Sequence, residues 1–325
     1  MPRKAIPNSS SIDLAMYIVD SHCDSIQLVD RGKFPLVNPH NFSSMYNQLQ
    51  FVAMFCMARD GDLEEAYKRA VRYIGHFAIS MQKEADKVVQ VRTYKDIERA
   101  FSEKKHAALL AVEGGSAIKG SKEVLRDFYH AGVRVYGLAW LSNELAKSNR
   151  ISDDEEDTGL TDLGREIVAE GNELGMIFDV SHLSDKSFWD LAELSKKPLI
   201  ASHSNFRTLC PHSRNLTDSM ARFIVEHDGM IGLNMYPEFI GVEKDQQTVD
   251  GFFDHLDYCI DKFGSDNIGF GGDVDGTSGM YPSPITEDRS IHDQFVDAMI
   301  IRGYSDDIIE KFTSQNYLNF LKKYL

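Results

Sequence analysis

Three histidines and two carboxylates stand at or just beyond the ends of short apolar runs. His22 and Asp24 lie in the segment VDSHCDS, and Glu113 lies in AVEGG. His182 ends FDVSH, and His203 ends ASH. Neutral imidazoles combined with carboxylates, without thiolates, are typical of a hydrolytic zinc site. These five residues are therefore the metal ligands that the sequence predicts.

Each of these residues alone also has a structural explanation. A single histidine at a strand end is more often a hydrogen-bonded structural residue, and Glu113 could form a salt bridge with Arg or Lys. His22 and Asp24 are stronger candidates for metal ligands as a pair, because residues i and i+2 on a strand face the same side and can reach the same ion. The combination of all five favours the metal site.

Five ligands exceed what one tetrahedral ion with an open position accepts. We therefore expect two ions that share a bridging carboxylate, with Glu113 as the bridge. Two ions about 3.5–4 Å apart can hold a hydroxide between them and polarise a carbonyl, which makes hydrolysis of an amide feasible near neutral pH.

The elements that must position these residues are short strands alternating with amphipathic helices. Eight apolar runs rich in β-branched or aromatic residues span residues 15–22, 50–57, 107–115, 133–141, 175–182, 198–204, 229–236 and 267–276. Helical spacing is seen at residues 64–88, 160–174 and 217–228. This alternation predicts an α/β fold with a parallel sheet and crossover helices.

Eight strands fit a closed (β/α)8 TIM barrel, and we expect one catalytic domain over residues 1–325. An open, doubly wound sheet is the alternative. In a barrel the carboxyl ends of all strands open onto one face, so the polar residues that end five of the runs would converge there. An open sheet would not bring all five together, so the sequence favours the barrel.

Composition narrows the function classes. The 325 residues include 50 acidic and 35 basic ones, a net charge of −15, which argues against nucleic acid or an anionic membrane as a partner. Four cysteines without a Cys-x-x-Cys pair predict reduced, buried thiols. No apolar run suggests a signal peptide or a spanning helix, so we expect a cytoplasmic enzyme acting on a small molecule.

Taken together, these motifs resemble the membrane dipeptidase (renal dipeptidase) family of zinc peptidases, family M19, over nearly the whole chain. VDSHCDS resembles that family's D-G-H-N-D segment, and GFGGDVDG resembles its G-x-G-G-D-F-D-G segment. AVEGG resembles the strand that carries its glutamate, while FDVSHLS and ASHSN resemble its two histidine strands. The resemblance implies that His22, Asp24 and Glu113 hold one zinc ion, and that His182, His203 and Glu113 hold the other.

The resemblance also implies roles outside the metal ligands. SRNLTD is similar to the stretch with a substrate-binding arginine, so Arg214 would bind the terminal carboxylate of the substrate. Asp273 would transfer the proton, with Asp275 as the alternative carrier two residues on. Trp140 stands where animal members have a histidine that contacts substrate or the tetrahedral intermediate, so it is predicted to be a substrate-binding residue, with an aromatic wall of the pocket as the structural alternative.

The implied function is a binuclear zinc dipeptidase for small dipeptides with a free C-terminal carboxylate. The alternatives are another amidohydrolase reaction, on a lactam, a lactone or an N-acyl amino acid, and a barrel that binds metal without hydrolytic turnover or performs isomerase or aldol chemistry. Arg214 favours the dipeptidase. A homodimer would fit the family, and the polar C-terminal segment NYLNFLKKYL predicts no lipid anchor.

Overall fold

A computed structural model describes residues 17–33, 35–38, 40–152 and 154–325. The predicted strand positions 15 and 16 lie outside these residues. The described part contains nine strands, all paired in parallel. Their bounds are β1 Tyr17–Cys23, β2 Asn47–Phe55, β3 Val88–Val91, β4 His106–Glu113, β5 Val133–Gly137, β6 Ile177–Asp179, β7 Ile200–Ala201, β8 Met230–Leu233 and β9 Ile268–Phe270.

Eight of these strands form a closed barrel. The sheet runs β2-β1-β9-β8-β7-β6-β5-β4, and β4 pairs back onto β2 from Leu49↔Ala107 to Phe55↔Glu113. The predicted (β/α)8 TIM barrel is therefore confirmed. Each of the eight predicted runs overlaps one barrel strand, although β6, β7 and β9 are only two or three residues long.

The ninth strand, β3, was not expected. It lies outside the barrel and pairs only with the N-terminal half of β4, while the C-terminal half of β4 pairs with β5. Its sequence, VVQV, is four residues long and carries no turn signal or chemical motif of its own. Such a short edge strand depends on the neighbouring strand for its formation.

Helices surround the barrel, and most begin at a Ser or Thr whose side chain accepts a backbone N–H, as at Thr161, Ser184 and Thr217. Within the described ranges no helix combines the length and the apolar composition needed to cross a membrane. The helices are α1 Ser25–Asp30, α2 Leu63–Lys83, α3 Tyr94–Ser102, α4 Lys122–Ala131, α5 Asp162–Leu174, α6 Asp185–Leu194, α7 Asp218–Glu226, α8 Pro237–Ile240, α9 Val249–Phe263, α10 Ile291–Arg302, α11 Asp306–Glu310 and α12 Asn316–Tyr324.

Two apolar clusters hold the barrel together. The larger one packs the outer strand faces against the helices. The smaller one takes alternate strand residues such as Val19, Phe51 and Leu109, together with Tyr317 from α12. Tyr317 donates its hydroxyl to Ser21 Oγ at 2.6 Å. Because this cluster fills the barrel, the functional residues can lie only at its carboxyl end.

Candidate metal centre and active site

The strand ends bring the five predicted ligands to one face of the barrel. His22 is in β1, and Glu113 is the last residue of β4. His182 and His203 follow the ends of β6 and β7. Asp24 lies beyond β1 at the N-cap position of α1, so it is a turn residue and not a strand residue as expected. All five are buried.

The two oxygens of Glu113 face different histidines. Glu113 Oε2 is 3.7 Å from His22 Nε2, whereas Oε1 is 2.8 Å from His182 Nε2 and 3.5 Å from His203 Nε2. The Nε2 atoms of His182 and His203 are themselves 2.9 Å apart. This two-sided carboxylate has the geometry expected of a ligand shared by two ions.

The remaining carboxylates gather on the His22 side of Glu113. His22 Nε2 lies 3.8 Å from Asp24 Oδ2 and 3.9 Å from Asp273 Oδ1. Gln27 Nε2 donates a hydrogen bond to Asp24 Oδ1 at 2.7 Å. This bond fixes the Asp24 carboxylate and leaves Oδ2 directed at His22. Both His22–Asp24–Asp273 and His22–Glu113–His203 are compact enough to hold a metal ion.

The electrostatics of the site suit a bound cation. Within the described part of the chain, buried His22 Nε2 and His182 Nδ1 have no hydrogen-bond partner. Burial by itself lowers the pKa of His22, but three carboxylates, with Glu113 the strongest, outweigh it and raise that pKa to about 10. Burial also raises the pKa of Glu113 well above its usual range. A divalent ion would remove these conflicts, so the residues fit a metal centre.

The neutral histidines are held in an orientation that suits metal binding. Burial keeps the pKa values of His182 and His203 well below the usual range. Ser202 Oγ hydrogen-bonds both Asp179 Oδ2 and, at 2.7 Å, His203 Nδ1. Since the serine proton goes to Asp179, His203 Nδ1 carries the hydrogen of the second bond, and its Nε2 lone pair is free for a metal.

A buried pair, Asp20 and His292, supports the strand that carries His22. Asp20 Oδ1 accepts hydrogen bonds from His22 N at 3.1 Å and Gly272 N at 2.8 Å, so one carboxylate oxygen links β1 to the loop after β9. Asp20 Oδ2 lies 2.6 Å from His292 Nε2 on α10, and both side chains are fully buried. This contact ties a peripheral helix to the strand that carries His22.

Three residues at this face have a strained backbone conformation. His182, Asp273 and Asp275 have φ values of 73°, 54° and 68°, in the left-handed region that residues with a Cβ atom rarely adopt. Such conformations cost roughly 1–3 kcal/mol each and persist where the surroundings enforce them, commonly at functional sites. All three residues contribute a side chain to the cavity described below.

The two candidate proton carriers have different surroundings. Asp273 Oδ2 accepts from Asn234 Nδ2 at 3.2 Å, while Oδ1 faces His22, and burial raises the Asp273 pKa to about 6. Asp275 Oδ2 instead accepts from Ser25 Oγ at 2.7 Å. Asp273 is thus the carboxylate beside the metal ligands, and Asp275 is held against α1.

A cavity of about 620 Å³ opens above the ligands. Asp24, Glu113, His182, Asp273 and Asp275 all line it. Its other walls include the aromatic residues Phe55, Trp140, Tyr236 and Phe239 and the arginines Arg31, Arg59 and Arg150. A space of this size suits a small molecule and not a protein chain.

Trp140 is part of this wall. Its ring is 4.9 Å from that of Phe55 and 5.8 Å from that of His182. The guanidinium carbon of Arg150 lies 4.1 Å from the centre of the Trp140 ring. Arg150 was not identified from the sequence, because no motif surrounds it.

Arg214 lies one layer behind the cavity wall. It is buried, donates to His203 O at 2.9 Å and Ser204 Oγ at 3.3 Å, and stands 5.3 Å from the centre of the Phe239 ring. Phe239 lines the cavity, whereas Arg214 does not. Among the described residues no carboxylate lies within 4.0 Å of its guanidinium, and its Nε has no partner.

Comparison with known proteins identifies the family that this chain matches. The sequence model of the membrane dipeptidase family, peptidase family M19, matches residues 9–324. Dipeptidase tcpJ of Claviceps purpurea is 33% identical over 245 residues, 75% of this chain and 57% of that protein. Dipeptidase aclJ of Aspergillus oryzae is 31% identical over 253 residues, 77% of this chain and 58% of that protein. The chain thus spans little more than half the length of these two relatives.

Solved structures agree over the whole barrel. Dipeptidase AC, a metallopeptidase of family M19, superposes with a TM-score of 0.84 at 25% identity and covers 96% of this chain and 99% of its own. A Rhodobacter sphaeroides metallopeptidase, solved with a phosphinate mimic of the dipeptide L-Ala-D-Ala, gives 0.83 at 25% identity, with coverage of 95% and 99%. These matches confirm the resemblance seen in the motifs, and the chain belongs to the membrane dipeptidase family, peptidase family M19.

Proposed function

We propose that this chain is a binuclear zinc dipeptidase that hydrolyses small dipeptides with a free C-terminal carboxylate. The observation that carries the proposal is the two-sided Glu113 carboxylate, with His22 near one oxygen and His182 and His203 near the other. The dipeptidase relatives, and the dipeptide mimic bound by the Rhodobacter enzyme, support the substrate class.

Two ions would share Glu113. His22 and Asp24 complete one position, and His182 and His203 complete the other. Histidine nitrogens with carboxylate oxygens, and no thiolate, suit zinc. When bound, such a pair of ions lowers the pKa of a water and polarises the carbonyl of the scissile amide. Catalysis also requires residues of the chain that hold the substrate and transfer protons.

Asp273 is the proton carrier in this proposal. Its Oδ1 faces the ligand cluster, while Asn234 fixes the other oxygen. A carboxylate held in this way can take a proton from the attacking water and deliver it to the leaving amine. Asp275 accepts a hydrogen bond from Ser25, and its role in this proposal is to hold the loop after β9 in place.

Arg214 is the proposed partner of the substrate's terminal carboxylate. It is a buried cation beside His203 without a carboxylate within 4.0 Å in the described part of the chain, a costly arrangement that an incoming carboxylate would relieve. Its planar guanidinium suits a carboxylate group. Because it stands behind Phe239, we expect that ring to shift when substrate binds.

Matched free and amidated dipeptides test this assignment. A charged hydrogen bond contributes roughly 1.5–3 kcal/mol, so kcat/KM for the free acid should exceed that for the amide by about 10–100-fold. Arg214→Ala should bring the ratio close to one. Arg207→Ala is the control, because Arg207 lies in the same loop but is paired with Asp185 at 2.8 Å. Equal slowing of both substrates by Arg214→Ala would make Arg214 structural. Cleavage of lactams or N-acyl amino acids in place of dipeptides would favour the alternative hydrolase.

We further propose a homodimer located in the cytoplasm, with residues 1–325 acting as a single catalytic domain. The family resemblance supports the dimer. Light scattering of the purified protein gives its molar mass in solution. A mass near twice 36.7 kDa supports the dimer, and a mass near 36.7 kDa contradicts it.

A further inference from the structure

The mouth of the cavity carries cations that the proposed mechanism does not use. Arg31, Arg59 and Arg150 all line it. In the described part of the chain none of the three has a carboxylate within 4.0 Å. Acidic residues outnumber basic ones by 50 to 35 in this protein, so arginine partners are plentiful elsewhere on the surface. Unpaired arginines facing a substrate cavity indicate that an anion is recognised there.

Arg150 differs from the other two in being held in place. The central carbon of its guanidinium lies over the Trp140 ring, 4.1 Å from the ring centre. Trp140 is itself wedged between the rings of Phe55 and His182. One aromatic ring therefore separates the Arg150 cation from a proposed metal ligand.

The backbone fixes the same arrangement. Asn149 N donates to His182 O at 2.8 Å, and Arg150 N donates to Ser148 Oγ at 3.3 Å. Ser148 Oγ in turn donates to Trp140 O at 2.8 Å. The segment 148–150 is thus bonded both to the loop that carries His182 and to the tryptophan under Arg150. Such anchoring reduces the entropy lost when the side chain binds a ligand.

Within the described residues the Arg150 guanidinium forms no ion pair, so its N–H groups are available to a ligand. The N–H groups of a guanidinium lie in its own plane. An arginine placed over an aromatic ring can therefore still bind a carboxylate through two parallel hydrogen bonds. The proposed function already assigns the terminal carboxylate to Arg214, which stands behind a different wall residue, Phe239. A carboxylate at Arg150 would be a second one on the same substrate.

We propose that Arg150 is a specificity-determining residue that binds a side-chain carboxylate, so that the enzyme prefers dipeptides containing aspartate or glutamate. This inference rests on the proposed function, because it concerns substrates of the same site. It names the substrate class more narrowly than the family does.

Acid and amide dipeptides of equal shape provide the test. The two pairs are L-alanyl-L-glutamate with L-alanyl-L-glutamine, and L-aspartyl-L-alanine with L-asparaginyl-L-alanine. We expect zinc-loaded wild type to favour the acid in at least one pair by roughly tenfold in kcat/KM, as a charge-assisted contact would give. Arg150→Gln should bring this ratio near one. Because the ratio is taken within each enzyme, a general loss of activity cancels.

Arg222→Gln is the control, because Arg222 also lies near an aromatic ring, 5.3 Å from the centre of Phe263, but does not line the cavity. It should keep the wild-type ratio. If Arg150→Gln does not fold, the salt dependence of the wild-type acid-to-amide ratio of kcat/KM serves as the test. Salt screens the contact of an exposed arginine with a carboxylate, so this ratio should fall at high salt.

The possible failures are distinguishable. If none of the four dipeptides is cleaved while L-alanyl-L-alanine or L-alanyl-D-alanine is, only this inference is overturned; if none of the six is cleaved, the proposed function is overturned with it. Cleavage without preference for the acid in either pair overturns only this inference. A wild-type preference that survives intact in Arg150→Gln, or that does not change with salt, also overturns it.

Discussion

A Cβ atom on Gly276 would lie 2.2 Å from Asp273 Oδ1. The same atom would lie 2.3 Å from Asp24 Oδ2, so this glycine leaves room for two carboxylates of the site at once. Gly276 is exposed and lies in the cavity wall. Its role is therefore tied to the geometry of the site more than to stability.

Gly276→Ala should displace Asp24, Asp273 or both. We expect zinc affinity and kcat to fall by about tenfold or more, as an ångström-scale misplacement of reacting groups does, with little change in thermal unfolding. Gly75→Ala is the control, because a Cβ atom there meets nothing within 4 Å. A Gly276→Ala enzyme with normal metal binding and rate would show that these carboxylates are free to move.

Glu113→Ala should remove both ions. The two oxygens of Glu113 face opposite sides of the ligand cluster, so no other side chain compensates for its loss. His182→Ala should empty mainly the position it shares with His203. Elemental analysis after zinc loading distinguishes the two variants. Equal, mild losses of metal in both would argue against a bridging Glu113.

Asp273→Asn should retain zinc and lower kcat by about 10²–10⁴-fold, the usual contribution of proton transfer by a placed side chain. Asp275→Asn should have a smaller effect, because that carboxylate is bonded to Ser25 and not directed at His22. Steady-state kinetics with metal analysis measures both. If Asp275→Asn proves slower, the two roles must be exchanged, and loss of zinc from Asp273→Asn would make Asp273 a ligand.

Metal-free protein should lose stability as the pH rises. The folded state raises the pKa of His22 from 6.5 to about 10, so its proton stabilises the fold fully below pH 6.5, and this stabilisation is lost between pH 6.5 and 10. In the absence of zinc this proton partly replaces the cation. Thermal unfolding after chelation should therefore show a Tm that falls over this range.

Zinc-loaded protein and the chelated His22→Gln variant are the controls for that experiment. Both should show a weaker dependence of Tm on pH, since neither contains a titrating His22. If Tm changes with pH equally in all three proteins, the effect comes from the net charge of the whole chain, −15, and not from His22.

The sequence predicted the barrel and the convergence of the candidate ligands for the same reason. A carboxylate that ends the apolar run of β4, or a histidine just past β6, is visible because it contrasts with its neighbours. A barrel then brings such strand ends together whatever their distance in sequence. The matching family motifs gave the order of the ligands in addition.

Other features depend on contacts that no local pattern reveals. His292 reaches Asp20 from a helix 272 residues away, and Ser202 orients His203 through a hydroxyl that looks ordinary in the sequence. Arg150 is significant only because its loop folds back over Trp140. Asp24 lies beyond the strand because β1 ends at Cys23 and α1 begins at Ser25, and alternation does not predict this boundary.

Titration of metal-free protein with zinc, followed by hydrolysis of L-alanyl-D-alanine and L-alanyl-L-alanine, tests the central claim most directly. A centre bridged by Glu113 predicts that activity appears with added zinc and saturates at about two equivalents per chain, as the two-ion mechanism requires. Saturation at one equivalent would contradict the bridged centre, and intact dipeptides at every zinc concentration would contradict the assignment as a dipeptidase.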